Sequence, residues 1–295
     1  MKAPNVYRYL VVDVFSQRPL EGNPLAVFPC VSGMDEKLMQ RIARELNLAE
    51  TSFVVPATHP DCEVGVRIFT PTKEMRFAGH PTIGTAFVLM EEGIVPQSKR
   101  SFVLEEKVGP VAVHVEPGVR PLIWLRTPAI EYGNKYDATA CAEMLGLNAP
   151  DLLDVAPQLV SAGNPTIFVA AKDRETVDRA ILDVSRLRTL IGPHSEPVCV
   201  FIFAPTGEGA YSRMFAPLYG ISEDPATGSS TGPLAAYMMK NGLTSGAAGR
   251  RMVSEQGTRM GRRSLLHVCI HGENGADGID VGGFVTPLTV ATMRL

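Results

Sequence analysis

RIFTPTKEMRFAGHPTIGTAFVLM, residues 67–90, decides the reading of this chain. A short β-like run from Val66 to Phe69 meets Thr70-Pro71, and a polar loop follows. Next come Ala78-Gly79-His80-Pro81 and a run that is apolar on nearly every face, ending at Glu92-Gly93. The pattern predicts strand, loop and buried helix, with Gly79-His80 at the helix mouth. The start of a helix leaves backbone N–H groups unpaired and carries partial positive charge, so this mouth suits an anion.

The chain then repeats the event. Residues 213–238 read RMFAPLYGISEDPATGSSTGPLAAYM. Arg67-x-Phe69-x-Pro71 recurs as Arg213-x-Phe215-x-Pro217, and Gly22-Asn23-Pro24 recurs as Gly163-Asn164-Pro165. Gly79 matches Gly228, and the helices that follow stop at Gly93 and Gly242. The spacing between partners grows slowly along the chain, as small loop insertions between two copies of one unit would make it. The expectation is a duplicated α+β protein, each half a mostly antiparallel sheet wrapped round one apolar helix (82–92 and 231–241). A helix with almost no polar face must be surrounded by protein. In a two-fold arrangement the two helix mouths would face one another across a cleft, where a small carboxylate would meet both sets of N–H groups.

Working outward, residues 35–47 (DEKLMQRIARELN) form a clear amphipathic helix, with Asp35-Glu36 at its positive end. A strand at 52–55 follows, which leaves Glu50 at a helix-to-strand junction. Residues 101–116 read as a hairpin around Val108-Gly109-Pro110, 127–134 as a boundary, 176–190 as mainly helical and 198–204 as a buried strand.

Composition bounds the rest. The chain has 295 residues, 45% hydrophobic and 20% charged, with a net charge of −3. That fits one large or two medium globular domains. Its longest basic runs are short Arg pairs and it has one Trp, so it carries no nucleic-acid footprint. Five scattered cysteines without a CxxC predict reduced, mostly buried thiols. Asp13 interrupts the only apolar run near the N-terminus, and no stretch reaches the roughly 20 apolar residues of a membrane span. The expectation is a soluble, cytoplasmic protein.

The two copies differ where chemistry is expected. The first mouth carries Gly79-His80-Pro81; the second carries Glu223-Asp224-Pro225-Ala226-Thr227-Gly228-Ser229-Ser230. A bland alternative makes Asp224, Thr227 and Ser229 helix caps and His80 a packed loop histidine. His267, Cys269 and His271 would share one face of a strand, yet without a second ligand cluster no metal site is expected. Residues 246–249 lack the Lys-Ser/Thr of a phosphate loop, and Ser229 lacks the GxSxG elbow of a hydrolase.

RIARELNLAETSFV (41–54), RIFTPTKEMRFAGHP (67–81) and RMFAPLYGISEDPATGSSTGP (213–233) together resemble the PhzF family of phenazine-biosynthesis-type isomerases. The likeness runs from Val11–Phe15 through the Gly22-Asn23-Pro24 turn to Val281-Gly282-Gly283. It implies the diaminopimelate epimerase-like fold, with residues 1–128 plus about 285–295 in one domain and 129–284 in the other. It also implies a homodimer, no cofactor, and a small carboxylate as substrate, with no nucleic-acid or membrane partner. By the same resemblance Glu50 is the catalytic acid/base. His80 and Asp224 are catalytic partners, and Gly79, Gly228 and Ser229 bind substrate. Related epimerases place two catalytic cysteines just before the mouth glycines, where this chain has Ala78 and Thr227. Cys62 and Cys199 lie well away from either mouth in sequence. Pro225, Ser230 and Ala49 depart from the family pattern and bear on substrate identity. The implied reaction is isomerisation of a dihydro-3-hydroxyanthranilate. Epimerisation or racemisation of another small carboxylate, or non-catalytic ligand binding on the same fold, are the alternatives.

Overall fold

Residues 67–90 fold as strand, loop and helix in the computed structural model, which describes residues 5–31, 33–193 and 195–295. Of the N-terminal stretch read for a signal sequence, residues 1–4 lie outside the described residues. The chain divides into two compact units. One holds residues up to Arg126 together with Gly282–Leu295; the other holds Thr127–Val281.

The first unit runs β1 (Val6–Val14), β2 (Asn23–Phe28), α1 (Glu36–Leu46), β3 (Glu50–Val55), β4 (Val64–Phe69), β5 (Glu74–Met75), α2 (Gly79–Glu91), β6 (Ser101–Glu106), β7 (Gly109–Glu116) and β8 (Leu122–Arg126). The pairs β1–β2, β3–β4, β6–β7 and β7–β8 are antiparallel, while β2–β3 and β4–β6 are parallel. Every residue of α2 from Gly79 to Met90 is buried, as its lack of a polar face demands. Gly84 lets the helix lie close to the sheet, since a Cβ there would sit 2.6 Å from Leu25 Cδ2 and 2.8 Å from Val14 Cγ2. The helix begins three residues earlier than expected. Pro81 falls in its first turn, where a missing N–H costs nothing.

The second unit runs β9 (Glu131–Lys135), α3 (Ala138–Met144), β10 (Gln158–Ser161), β11 (Thr166–Ala170), α4 (Arg174–Arg179), α5 (Val184–Ile191), β12 (Cys199–Pro205), β13 (Gly209–Ala216), β14 (Ile221–Asp224), α6 (Gly228–Lys240), β15 (Arg251–Gln256), β16 (Ser264–His271) and most of β17 (Gly278–Gly283), whose last two residues belong to the first unit. Its sheet repeats the order of pairings. β10–β11 is antiparallel, β11–β12 parallel, β12–β13 antiparallel, β13–β15 parallel and β15–β16 antiparallel. Alternation along the strands sorts the core. Phe168, Phe201 and Phe203 pack with Leu234 and Tyr237 of α6, while Ile167, Val200 and Ile202 pack with residues of α3, α4 and α5. Both faces of β12 are therefore covered, which is why it reads as an unbroken apolar run. Back in the first unit, β18 (Val285–Arg294) pairs antiparallel with β1 along its whole length.

Two expectations are corrected, on residues 176–190 and on the cysteines. Residues 176–190 form two helices, because Asp183 caps α5 through Ser185 and Arg186 N–H, and the intervening Ile181 and Asp183 N–H groups bond Leu145 and Met144. The 127–134 boundary agrees with the division between Arg126 and Thr127, and β9 begins within it. The five cysteines are free, yet only Cys141 and Cys199 are buried. Among the described residues no helix is long and apolar enough to cross a membrane.

The parallel register of the second unit is testable. Gly209 lies opposite Val253, and a Cβ on it would meet the Val253 backbone O at 2.2 Å and N at 2.8 Å. Neither backbone atom can step aside without opening β13 from β15. Gly209→Ala is therefore expected to lower stability by about 1–3 kcal/mol, read as a lower urea midpoint; an unchanged midpoint would refute the register.

Candidate active site

Glu50 owes its position to the end of α1. Asp35 caps the start of that helix by accepting the Leu38 N–H at 2.8 Å, and Asn47 closes it in the left-handed conformation, with φ 51°. Met39, Ile42 and Ala43 of α1 pack with Phe53 and Phe69, which fixes the helix against the sheet. The chain then enters β3, and Glu50 is its first residue, paired in register with Leu25.

The Glu50 carboxylate lies 3.5 Å from His80 Nε2. His80 is in the first turn of α2 and 5% exposed. Burial pushes its pKa down from 6.5 to about 3, so the ring is neutral at working pH. Asn23 Nδ2 lies 3.4 Å from His80 Nδ1. With the Asn23 amide donating there, Nδ1 accepts and Nε2 carries the proton that faces Glu50.

The second mouth has its own network. Asp224 ends β14 and is buried; the Thr227 hydroxyl donates to its carboxylate. Gln256 Nε2 donates to the Asp224 carbonyl at 2.7 Å and to Thr227 Oγ1 at 3.0 Å, and its Oε1 accepts the Thr227 N–H at 3.2 Å. Asn164 Nδ2 donates to Ser229 Oγ at 2.9 Å. Thr227 is the N-cap residue of α6 and Ala78 that of α2, and neither makes a side-chain capping bond. The reading of Thr227 as a side-chain cap is therefore corrected: its hydroxyl serves Asp224 and Gln256, while Ser229 accepts from Asn164. Helix geometry leaves the N–H groups of Gly79, His80, Gly228 and Ser229 without intrahelical acceptors.

Register separates what the repeat keeps from what it changes. The Asn of each Gly-Asn-Pro turn bonds the residue after the mouth glycine, His80 in one unit and Ser229 in the other. Arg67 bonds Glu74 and lies over the Phe69 ring; Arg213 bonds Glu223 and lies over the Phe215 ring. Those pairs maintain the fold. Glu50, by contrast, corresponds to Cys199, since it pairs with Leu25 as Cys199 pairs with Thr166. Asp224 corresponds to Met75, each opposite matching residues of β13 and β4. In sequence Cys199 lies well away from either mouth. In space it is a buried thiol pushed up to about 12, by burial first and then by the charge of Asp224. Two further residues escaped the sequence reading, Asn23 and Asn164, visible there only as turn markers.

On β16, His267, Cys269 and His271 share the half-exposed face, and His271 Nε2 lies 2.8 Å from Asp280. Among the described residues no three His, Cys, Asp or Glu side chains are grouped as metal ligands.

The family model described as PhzC-PhzF, phenazine biosynthesis-like protein, matches residues 12–288. The chain belongs to the PhzF family. A curated relative, trans-2,3-dihydro-3-hydroxyanthranilate isomerase from Pseudomonas aeruginosa, is 32% identical over 273 residues, covering 90% of this chain and 91% of the relative. Among solved structures, the PhzF-family phenazine biosynthesis protein of Bacillus anthracis superposes with a TM-score of 0.89 at 23% identity, over 99% of this chain and all of that one. A probable proline racemase from Agrobacterium radiobacter, solved with bound carbonate, superposes with a TM-score of 0.67 at 16% identity, over 98% of this chain and 93% of that one. These likenesses establish the diaminopimelate epimerase-like α+β fold for this PhzF-family chain.

Proposed function

We propose that this PhzF-family protein is a cofactor-independent isomerase that moves a proton on a small cyclic carboxylate such as trans-2,3-dihydro-3-hydroxyanthranilate, with Glu50 as acid/base. The observation that carries the reading is the Glu50 carboxylate held against the Nε2 of a neutral, buried His80 at the mouth of α2. The two groups lie 3.5 Å apart with no hydrogen bond formed between them, so the uncharged ring sets a polar N–H near Glu50 without placing a cation beside it. Glu50 then takes a proton from one ring carbon: the C–H bond breaks, a carboxyl O–H forms, and the electron pair spreads into the conjugated substrate. Return of that proton to another carbon on the same face reverses the charge and moves the double bond, with no net change in electrons or protons.

In this reading His80 and Asp224 orient the polar groups of the substrate or relay protons. The backbone N–H groups of Gly79, Gly228 and Ser229, with the Ser229 hydroxyl, hold its carboxylate. No cofactor is required, because the substrate delocalises its own charge. We infer a cytoplasmic homodimer, without nucleic-acid or membrane partners, on the strength of the family resemblance.

The test is turnover of trans-2,3-dihydro-3-hydroxyanthranilate in deuterated solvent. The expected product carries deuterium at a new carbon and a shifted double bond. Deuterium gained with inversion at one carbon and unchanged connectivity would replace this reading with epimerisation. Measurable binding without any exchange would make the protein a ligand-binding member of the fold.

A further inference from the structure

Glu106, the last residue of β6, is a buried carboxyl group that the proposed proton transfer does not use. It is 4% exposed. Glu106 Oε1 bonds the Thr82 hydroxyl, the backbone N–H of Ala78 lies close enough to the carboxyl group to favour its charged form, and Oε2 has no hydrogen-bond partner. An ionised carboxylate in that setting would leave a charged oxygen buried and unpaired, which is costly.

The second unit shows which proton arrangement the fold prefers. Gln256 ends β15 as Glu106 ends β6, and it contacts the N-cap residue of α6 as Glu106 contacts that of α2. Its amide accepts the Thr227 N–H and donates to the Thr227 hydroxyl. The threonines one turn in also correspond. Thr231 Oγ1 donates to the Thr227 carbonyl at 2.9 Å, and Thr82 Oγ1 donates to the Ala78 carbonyl at 2.7 Å. A hydroxyl has one proton. With the Thr82 proton directed to Ala78, the proton between Thr82 and Glu106 comes from Glu106. Burial supports this by pushing the Glu106 pKa from 4.5 to about 8, against the smaller opposing pull of the Thr82 and Ala78 hydrogen bonds.

We propose that Glu106 is a neutral carboxylic acid that does at the mouth of α2 what the Gln256 amide does at the mouth of α6. It faces the N-cap backbone and donates to a threonine hydroxyl, and so positions the Gly79-His80 turn. Its influence on substrate rests on the function proposed above; its charge state does not. Charged neighbours do not set that state. His80 of α2 is itself neutral. Glu50 faces His80 Nε2. Lys107 is paired with Glu74, and Glu74 with Arg67. Glu105 is bonded to Thr58 and His59, and Arg76 is exposed. Above the titration the carboxyl proton goes to solvent, the link to Thr82 is lost, and an uncompensated charge appears at the mouth.

The experiment compares wild type, Glu106→Gln, Glu106→Ala and Gln256→Glu between pH 5 and 9, by urea unfolding, by backbone amide NMR and by kcat. From about 4.5 to about 8 the native state keeps a proton that the unfolded chain has lost. Wild type should therefore lose stability relative to Glu106→Gln as pH rises through that window, and the difference should level off above it. The Gly79 and His80 amide signals should titrate with a midpoint near 8 in wild type and stay flat in Glu106→Gln. Glu106→Ala should lose on the order of 10²-fold in kcat through misplacement of the turn. Glu106→Gln should recover most of that loss and extend activity past the alkaline limb of wild type. Gln256→Glu should carry the same pH-dependent loss of stability into the second unit, which keeps the test decisive if a Glu106 variant fails to fold. A stability difference that is flat with pH, or an alkaline titration of Gly79 and His80 that survives Glu106→Gln, would overturn the proposal. Absence of turnover in every protein with intact titrations would count against the proposed function and leave the neutral Glu106 standing.

Discussion

Glu50→Gln is expected to lower kcat on the isomerase substrate by on the order of 10²–10⁴-fold while the protein stays folded. Gln has the size and shape of Glu, and its carbonyl oxygen can take the place of the carboxylate oxygen that lies 3.5 Å from His80 Nε2 in wild type. What it cannot do is take a proton from carbon and give it back. The loss should therefore fall on kcat with KM little changed, the signature of an interaction needed only in the transition state. Exchange of solvent deuterium into recovered substrate should disappear in parallel. Stability should barely move. The Glu50 side chain retains 14% of its exposure, and the neutral His80 beside it gives no ion pair to lose. Urea unfolding at neutral pH checks this arm. Turnover that survives the substitution in a folded protein would remove Glu50 from the mechanism and leave the proton carrier to be sought elsewhere.

Glu50 is marked in the sequence only by resemblance and register. Nothing in its immediate neighbours marks it, since a Glu between a helix and a strand is ordinarily a surface residue. The family resemblance picked it out, and the Gly-Asn-Pro turns hold a second route. Registering β3 on β2 and β12 on β11 from those turns places Glu50 opposite Leu25 and Cys199 opposite Thr166, and shows that the repeat has exchanged one for the other. That register is a property of paired strands, so sequence distance concealed it. For the same reason Cys199 was judged remote from the second mouth although Asp224 acts on its thiol.

The larger architecture was legible because it is written in local patterns. The apolar helices, the capped amphipathic α1 and the repeated Arg-x-Phe-x-Pro strand each occupy one stretch. Failures came where a distant group decides. Asp183 marks the start of α5 locally, but the end of α4 is set from elsewhere. Its last carbonyls are taken by Arg213, and the following backbone bonds to the end of α3. Glu106 did leave a local trace that was passed over. In SFVLEE the strand buries Phe102, Leu104 and Glu106, and in RMVSEQ it buries Met252, Ser254 and Gln256. A carboxylate in phase with two core residues breaks the alternating pattern, and such breaks mark either an error or a site.

The recurring arginines separate duplication from chemistry, and Arg213→Ala is expected to be the most destabilising substitution considered, at about 3–5 kcal/mol. Arg213 is 8% exposed. Its Nε and Nη2 form a fork with Glu223 at 2.9 and 2.8 Å. Its Nη1 lies 2.7 Å from the Ala180 carbonyl, 3.1 Å from that of Asp178 and 3.2 Å from that of Val177. One guanidinium thus ends α4, neutralises Glu223 and covers the Phe215 ring, 4.8 Å from its centroid. Truncation leaves a nearly buried carboxylate without its cation and the last carbonyls of α4 without their donor. Lysine cannot make both the fork and the carbonyl contacts, so Arg213→Lys should recover only part of the loss. Arg67 occupies the same place in the first repeat, yet its side chain is 28% exposed and one of its two partners, Glu36, is 67% exposed. Arg67→Ala is therefore expected to cost about 1 kcal/mol. Urea midpoints at constant slope measure both, and an Arg213→Ala cost no greater than that of Arg67→Ala would sink the account. Glu223 adjoins Asp224, so freeing it should also disturb β14 and lower activity, but only through the fold. Addition of a stabilising osmolyte should then restore activity to Arg213→Ala and leave Glu50→Gln inactive.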